Sequence, residues 1–550
     1  MDIVNVKVLD QSYEFPMLST LEDVYLKLKD NYSNPVMVGM IDNEIHELSY
    51  KITKDCSVAF IDSNDRVGNR IYQKGLIFLL SYAVHCLYGN SKHIKVCHSI
   101  DRGIRIKSDS AISSVELDNI SSKMNEIVSS KLEITKCLVR KKEAINYFLS
   151  NGDIAKASSL KYLTNHYINL YKLGDIYNYL YSYMPVNTSY LSSFKLTRID
   201  DFEFLLLFPI ALGNGVIPDY VSREKIVQAY NENYKLAKKL DIFTSSDINK
   251  AIATGRINDI IRLTEVVANN NLLNLAQEIY NRKDKLKLVL IAGPSSSGKT
   301  TTARKLSMFL KSFGLNPKPL SIDDYFVDRV NTPKLPNGDY DYESINAIDL
   351  KLFNDQLMDL LSNKEVSIPT YNFVTGEKEY LNKTLKLESN DILIVEGLHG
   401  LNEQLTSLVP KENKLKIYVS PFTDLNIDNL NMVSTSDVRL LRRIVRDSRT
   451  RGYSAVQTIK NWKNVREGEE KNIFPYQQEA DYVCNSALVY EVGVLKLYAE
   501  PLLFDIDNTS LYYEEVRRLI NFLSMFLSMP TDSIPSDSIL REFIGGSYFE

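Results

Sequence analysis

The segment that most constrains this chain is an eight-residue stretch, residues 293–300, which reads Gly-Pro-Ser-Ser-Ser-Gly-Lys-Thr. It fits the pattern G-x-x-x-x-G-K-S/T, in which backbone N–H groups curl around nucleotide phosphates, the lysine reaches the β and γ phosphates, and the hydroxyl contacts Mg²⁺. An apolar run precedes it and a helical pattern follows it, which is the context that this loop requires. A chance Gly-Ser-rich turn is the alternative interpretation. The predicted ATP-binding residues here are Gly293, Ser295, Ser296, Ser297, Gly298, Lys299, Thr300 and Thr301.

Residues 285–505 alternate short apolar runs with helical stretches. The runs lie at residues 286–292, 318–322, 391–395, 415–419 and 480–483. Strands that alternate with helices predict an α/β domain with a parallel sheet covered on both faces. Glu396 directly follows the third run, so it would lie at the carboxyl edge of the sheet near the phosphates. We therefore expect Thr300 and Glu396 to hold Mg²⁺, and a glutamate that merely caps the next helix is the alternative.

The rest of the chain divides into four segments by its pattern. Residues 1–62 read as strand pair, helix, strand pair and strand, the order of a ubiquitin-like β-grasp fold. Residues 63–225 mix helices and strands as an α+β domain, and residues 226–284 are almost entirely helical, which indicates a connector. Residues 506–550 predict an amphipathic helix and a tail that pack on the 285–505 domain or make a dimer contact, so a homo-oligomer is left open.

Charge and composition exclude several classes of protein. The chain has 65 Lys and Arg against 69 Asp and Glu, a net charge of −4, so it lacks a global basic field for nucleic acid. Five cysteines in 550 residues, none in a C-x-x-C pair, form neither a disulfide framework nor a zinc ribbon. The first residues lack a signal pattern, and the longest apolar stretch is too short to cross a bilayer. We expect a soluble protein of the cytoplasm, with no membrane partner.

An acidic pair follows the second apolar run, where residues 321–326 read Ser-Ile-Asp-Asp-Tyr-Phe. Phosphoryl transfer to an alcohol needs a carboxylate beside the acceptor hydroxyl. Asp323 lies at the end of its strand and can point into the same crevice as the phosphate-binding loop. It is therefore the predicted catalytic base, acting together with Lys299.

Several ordered motifs resemble those of the uridine kinase and phosphoribulokinase family. They are the phosphate-binding loop, the S-x-D-D-Y-F segment, Tyr-Asp-Tyr at 340–342, Ile-Pro-Thr-Tyr-Asn-Phe at 368–373, Val-Glu-Gly at 395–397 and the arginine-rich segment 437–452. The resemblance covers about residues 286–500. It implies a kinase that uses ATP and Mg²⁺ to phosphorylate a small-molecule alcohol, in uridine kinases the primary hydroxyl of a nucleoside.

The same resemblance implies roles for individual residues. Asp323 falls where the family has its general base, and Glu396 falls on the carboxylate beside the magnesium. Arg446 and Arg451 would approach the phosphates of ATP. The implied substrate-binding residues are Asp341, which would hold ribose hydroxyls, Tyr371 and Phe373, which would line the nucleoside pocket, Arg443, which would hold the acceptor, and Asn461, where uridine kinases usually have a glutamine.

Two departures from the family bear on the acceptor. Uridine kinases carry a histidine that reads the pyrimidine a few residues after the pocket Tyr-x-Phe, and here that residue is Gly376. They also carry an arginine just after the Arg-Gly that ends the lid helix, and here it is Tyr453. A polar pocket discriminates strongly only when its donors are present. The residues therefore support phosphoryl transfer better than they support uridine as the acceptor.

Arginines recur at helical spacing in the segment 437–452. Arg439, Arg442, Arg443, Arg446 and Arg449 fall on one face of the predicted helix. Five cations on one face repel each other unless an anion lies there, and a triphosphate is the anion we expect. The alternative is a solvated basic face whose charge is eased by Asp437 and Asp447.

The front half is similar, more weakly, to two modules of threonyl-tRNA synthetases. Residues 1–62 resemble their TGS domain, and residues 63–200 resemble their second additional domain, which edits mischarged tRNA. Editing in those enzymes requires two His in the first helix and a Cys and a His later, and here the corresponding residues are Phe78, Tyr82, Leu180 and Met184. None of these is a good metal ligand. We expect neither zinc nor ester hydrolysis in this domain.

Three hypotheses for function follow. The first is an ATP-dependent nucleoside kinase, and the second is a kinase for another acceptor, such as a sugar phosphate or a pantothenate-like alcohol. The third is a nucleotide-switched regulatory protein that contacts RNA through its N-terminal region. The set of Lys299, Asp323 and Glu396 argues against the third, because a sensor does not need an acceptor-side base.

Overall fold

The structure is a computed structural model that describes residues 2–100, 102–335, 338–381 and 383–549. Its first 62 residues build two three-stranded sheets beside one helix. The strands are β1 Ile3–Val8, β2 Gln11–Pro16, β3 Val36–Ile41, β4 Glu44–Glu47, β5 Cys56–Ser57 and β6 Ala59–Asp62, and helix α1 spans Leu21–Lys27. Strand β5 runs parallel to β1, and β6, directly after it, runs antiparallel to β3. Strands β5 and β6 therefore connect the two hairpins. The assignment of residues 1–62 as a β-grasp module stays a prediction.

The next segment is an α+β region built around one long helix. Its helices are α2 Arg66–Tyr88, α3 Ser114–Ser129, α4 Lys141–Ser150 and α5 Ile154–Lys161, and its strands are β7 Ile94–Ile100, β8 Gly103–Ser108, β9 Ile134–Arg140, β10 Tyr167–Leu173, β11 Ile176–Asn178, β12 Lys195–Arg198 and β13 Glu203–Leu207. The strands form two antiparallel sheets, in the orders β12-β13-β8-β7 and β11-β10-β9. The buried face of α2 shares a hydrophobic core with the first 62 residues, in which Leu21 and Val38 lie with Leu76 and Phe78. The predicted boundary at 62/63 therefore runs through one core.

Three helices follow, α6 Glu224–Leu240, α7 Ser245–Ala253 and α8 Ile257–Asn281. The prediction of an all-helical segment agrees with the structure, but its last helix is not a free connector. Leu275 and Ile279 of α8 are buried in one core with Val289 and Leu306 of the region that follows. Helix α8 therefore covers a face of the sheet described next.

The back half contains the predicted parallel sheet. Its elements are β14 Leu288–Ala292, α9 Lys299–Ser312, β15 Asn316–Ser321, α10 Leu350–Leu361, β16 Val366–Ser367, β17 Thr370–Asn372, β18 Glu377–Glu379, β19 Thr384–Leu385, β20 Asp391–Glu396, β21 Lys414–Ser420, α11 Thr435–Thr450, α12 Ala455–Asn472, β22 Tyr482–Asn485 and α13 Glu491–Phe504. Five of the strands pair in parallel in the order β15-β20-β14-β21-β22. The two prolines of β15 are accommodated because this strand lies at an edge of the sheet.

The register of this sheet places the site. Glu396, the last residue of β20, lies opposite Ile291 of β14 and opposite Ser321 of β15. The three strands therefore end at the same level. The phosphate-binding loop, the Asp323 segment and Glu396 all leave the sheet at this edge, where parallel α/β sheets bind ligands.

The chain ends in helix α14 Tyr513–Leu523 and the short helix α15 Arg541–Ile544. Leu519, Leu540 and Phe543 are buried in the core that also contains Val438 and Leu441 of α11. Among the helices of the described ranges, none is long and apolar enough to cross a membrane.

Candidate active site

The loop between β14 and α9 has the geometry of a phosphate cradle. Gly298 adopts φ +88° and Ser296 φ +58°, left-handed conformations that turn successive backbone N–H groups inward. A Cβ on Gly293 would come within 2.1 Å of the carbonyl oxygen of Val419, so only glycine fits there. Lys299 Nζ donates to the carbonyls of Gly293 and Pro294 at 2.9 and 3.2 Å and so closes over the loop.

Thr300 and Glu396 are neighbours at the start of α9. The Thr300 hydroxyl lies 3.3 Å from each carboxylate oxygen of Glu396. Burial raises the pKa of Glu396, and Lys299 acts in the opposite direction. A hydroxyl and a carboxylate are the hard oxygen donors that Mg²⁺ takes from proteins when phosphates and water complete its shell. Among the described residues, no group of three or more Asp, Glu, His or Cys side chains could hold a metal ion.

Asp323 lies two residues beyond β15 and faces this crevice. Surrounding protein atoms raise the pKa of its carboxyl by desolvation, while the charge of Lys299 lowers it. Burial lowers the pKa of the Lys299 ammonium group. The negative charges of Glu396 and, next in size, Asp323 act to raise it. The structure thus places Lys299, Asp323 and Glu396 within one another's electrostatic reach.

An aromatic cluster stands beside the Asp323 segment. Phe326 contacts Tyr342, Tyr371 and Phe373, with ring centroids 5.6, 5.4 and 6.0 Å apart. Tyr371 is buried, whereas Phe373 is 59% exposed and so offers an open face. Asp341 lies one residue before Tyr342, and its N–H donates to the carbonyl of Pro333 at 2.7 Å. Three of the predicted acceptor residues are therefore close together, while Asn461 is exposed on α12.

The predicted lid arginines gather on one buried carboxylate. Asp447 of α11 lies 3.2 Å from Arg443, 2.8 Å from Arg446 and 3.7 Å from Arg451. Arg443 also donates to the Ser295 hydroxyl of the phosphate-binding loop at 2.7 Å. Arg443 thus connects Asp447 to the loop, and Arg446 and Arg451 lie beside it on the same carboxylate.

The wider prediction, in which all five arginines of this face meet a triphosphate, is wrong for Arg439 and Arg442. Arg439 pairs with Glu469, and Arg442 pairs with Glu491 at 2.7 Å, with all four side chains at most 3% exposed. Arg439 also donates to the carbonyl of Ser295 at 2.9 Å. Each of these buried cations has the paired carboxylate that it requires. Both arginines also contact backbone carbonyls of the loop and so help to fix its conformation.

Comparison with known proteins decides the family. A model described as "Phosphoribulokinase / Uridine kinase family" matches residues 288–492. The uridine kinase of Lactobacillus helveticus (strain DPC 4571) is 30% identical over 207 residues, which are 37% of this chain and 89% of the relative. The uridine kinase of Staphylococcus haemolyticus (strain JCSC1435) is 31% identical over 198 residues, which are 36% of this chain and 86% of the relative.

The chain belongs to the phosphoribulokinase / uridine kinase family. A solved structure titled as a possible uridine kinase from Bacillus stearothermophilus aligns with 38% of this chain and 100% of its own, at 19% identity and a TM-score of 0.26. The predicted α/β kinase fold with a parallel sheet is confirmed for the back half. The front 287 residues lie outside the family match.

Gly376, the first departure from the family, packs against the side chain of Arg329. Gly376 has φ +79°, and a Cβ there would lie 2.7 Å from the Arg329 guanidinium. Arg329 donates to Tyr342 Oη at 3.1 Å and to the Phe373 carbonyl at 2.6 Å. Among the described residues, no carboxylate lies within 4 Å of Arg329. A cation without an acidic partner therefore stands in the aromatic cluster beside Gly376.

Glu343 is a site residue that sequence reasoning missed. It follows Tyr342, and within the described chain its Oε2 atom is buried without a hydrogen-bond partner. Burial, and next the charge of Glu469, raises its pKa to about 7, while Arg443 and Lys299 lower it. A Cβ on Gly468 would come within 2.5 Å of Glu343 Cβ, so α12 carries a glycine where Glu343 packs. That glycine inside a helix was the available signal, because it costs about 1 kcal/mol relative to alanine.

In the front half, Phe78, Leu180 and Met184 are buried in the hydrophobic core. Tyr82 packs against that core and is partly buried. The synthetase resemblance, an RNA contact and the expected lack of zinc chemistry in this region stay predictions.

Proposed function

We propose that the protein is an ATP- and Mg²⁺-dependent kinase that transfers the γ-phosphate to the primary hydroxyl of a nucleoside-like small molecule. The observation that carries this proposal is the convergence of Lys299, Asp323 and Glu396 at one edge of the parallel sheet. A protein that only sensed nucleotide would need the loop and the lysine, but not the carboxylate on the acceptor side.

Each group of site residues has a separate role in the proposed reaction. The loop amides and Lys299 hold the β and γ phosphates, and Thr300 and Glu396 would hold Mg²⁺, which supplies charge neutralisation. Asp323 takes up or orients the acceptor proton, and its raised pKa brings it closer to the range of an effective base. Arg443, Arg446 and Arg451 neutralise the transferring group, because Asp447 holds them at the loop.

A second candidate acceptor is favoured by the cluster beside Gly376. A pyrimidine-reading histidine would have to occupy space that the Arg329 guanidinium fills. Arg329 supplies a positive charge where a neutral base would otherwise be read, so an acceptor that carries a carboxylate or phosphate fits this pocket better than uridine. The reaction is unchanged in this alternative, and only the acceptor differs.

The decisive experiment measures ADP release with a panel of acceptors that contains nucleosides, sugar phosphates and hydroxy acids, and identifies the phosphorylated product. We expect the release to depend on one acceptor class. Asp323→Asn should reduce turnover about 10²–10⁴-fold with little change in ATP affinity, since it removes only the base. Asp324→Asn is the matched control, because Asp324 is the adjacent carboxylate and pairs with Lys383 instead. Full turnover by Asp323→Asn would contradict the assignment.

A further inference from the structure

The last part of the chain, residues 530–549, lies directly over the phosphate-binding loop; we call it the C-terminal tail. A Cβ on Gly298 would come within 2.7 Å of Ile539 Cγ2, so the tail touches the loop at its tightest turn. Further along α9, Lys305 pairs with Asp537 at 3.1 Å, and Arg304 donates to the carbonyl of Phe549.

One side chain of the tail occupies the start of α9. Glu542 accepts hydrogen bonds from the Thr301 hydroxyl at 2.7 Å and from the Thr301 N–H at 3.3 Å. In the described part of the chain, no Lys or Arg lies within 4 Å of the Glu542 carboxylate. Its negative charge therefore faces the helix N-terminus, the Thr301 donors and the nearby charge of Lys299, which are the groups that bind phosphate in this kind of loop.

The tail is anchored well enough to hold Glu542 there. Leu540 and Phe543, on either side of it, are fully buried in the core that contains α11. Arg449 of α11 donates to the carbonyls of Glu542 and Phe543 at 3.3 Å each. The guanidinium of Arg442 stands 5.0 Å above the Phe543 ring. The backbone of residue 542 is consequently fixed, and only its side chain can swing away without exposing apolar surface.

A nucleotide phosphate and the Glu542 carboxylate need the same donors at Thr301, and two anions at one helix N-terminus repel each other. We propose that the C-terminal tail is an autoinhibitory strap in which Glu542 occupies the place of a nucleotide phosphate and competes with ATP. ATP then binds only when the carboxylate is displaced, and the site is held closed at low nucleotide concentration. This inference rests on the proposed use of the loop for ATP.

The test measures the dissociation constant of MgATP for the full-length protein by calorimetry, without acceptor. Glu542→Gln and Glu542→Asp are compared with wild type; glutamine removes the charge, whereas aspartate keeps it but is one methylene too short to reach Thr301. Both should bind MgATP about tenfold or more tightly, as expected when a charge-assisted hydrogen bond no longer competes. Asp532→Asn is the matched control, because it removes an exposed carboxylate of the same tail.

Each other outcome overturns the strap. Unchanged affinity in both Glu542 variants means that the carboxylate does not compete with nucleotide. Tighter binding by Glu542→Gln alone, or an equal gain in Asp532→Asn, means that general charge repulsion is responsible. The acceptor panel separates this result from the proposed function: the expected affinities with no phosphorylated product would refute the kinase assignment and leave the strap standing. Absence of MgATP binding in every variant would refute both.

Discussion

Replacement of Glu343 by glutamine should change how the stability of the protein depends on pH. The ordinary pKa of a glutamate is 4.5, and burial raises that of Glu343 to about 7. The folded protein therefore holds this proton more tightly than the unfolded chain. Below pH 4.5 both states are protonated and the group adds no pH dependence. Between pH 4.5 and 7 the unfolded chain ionises first, so stability falls as pH rises, and above pH 7 the full cost of about 3 kcal/mol is present.

Glutamine keeps the shape of the side chain and cannot ionise, so Glu343→Gln avoids this cost. At pH 8 the variant should melt about 6–12 °C above wild type, since 1 kcal/mol shifts the melting temperature by about 2–4 °C in a domain of 150–250 residues. At pH 5, where the cost is only about 0.8 kcal/mol, the two proteins should melt within about 2–3 °C of each other. The assay is thermal unfolding followed by fluorescence of Trp462, the one tryptophan of the chain, which is buried in α12 six residues before Gly468.

Glu412→Gln is the control, because Glu412 is exposed and its replacement should leave the melting temperature unchanged at every pH. A difference between Glu343→Gln and wild type that stays constant from pH 5 to 8 would refute the reasoning, because it would show that Glu343 ionises alike in the folded and unfolded states.

Two further predictions concern the packing around the loop. Gly468→Ala should destabilise the kinase region by about 1–3 kcal/mol despite the better helix propensity of alanine, because the new methyl group overlaps Glu343. Chemical denaturation followed by Trp462 fluorescence measures this change in stability. Equal or greater stability of the variant would contradict the contact between residues 343 and 468. Glu469→Gln leaves the Arg439 guanidinium buried without its carboxylate and should cost about 3–5 kcal/mol in the same assay, whereas a loss below 1 kcal/mol would show that the pair is solvated.

Local sequence signals predicted which residues lie at the carboxyl edge of the sheet. Each strand of the parallel sheet is a short apolar run, and the candidate site residues Glu396 and Asp323 follow such runs. Glu396 and Asp323 could be placed because the carboxyl ends of parallel strands lie at one edge, whatever the helices between them do. The loop itself is specified by its own glycines, so no distant contact was needed to predict it.

The errors came from partners that are distant along the chain. Arg439 and Arg442 have the spacing of an exposed basic face, yet their carboxylates come from residues 30 and 49 positions later. The amphipathic pattern of helix α8 does not indicate which part of the chain its apolar face packs against, so the sequence predicted only a connector. Glu542 lies 241 residues beyond Thr301, and nothing in the tail sequence indicates a phosphate-binding loop as its partner.

Helix α11 is also connected to the front half of the chain by ion pairs. Arg518 of α14 makes two hydrogen bonds of 2.7 Å to Asp437, in the first turn of α11. Arg518 also pairs with Glu515, and Glu515 pairs with Arg70 of α2 at 2.8 Å. Burial alone would raise the pKa of Glu515, but Arg518 and Arg70 hold it below its ordinary range, so the chain of charges stays intact at neutral pH. Movement of α2 against α11 would break this chain of ion pairs, of which Arg70–Glu515 is partly exposed, so the pairs connect the front half to the first turn of α11.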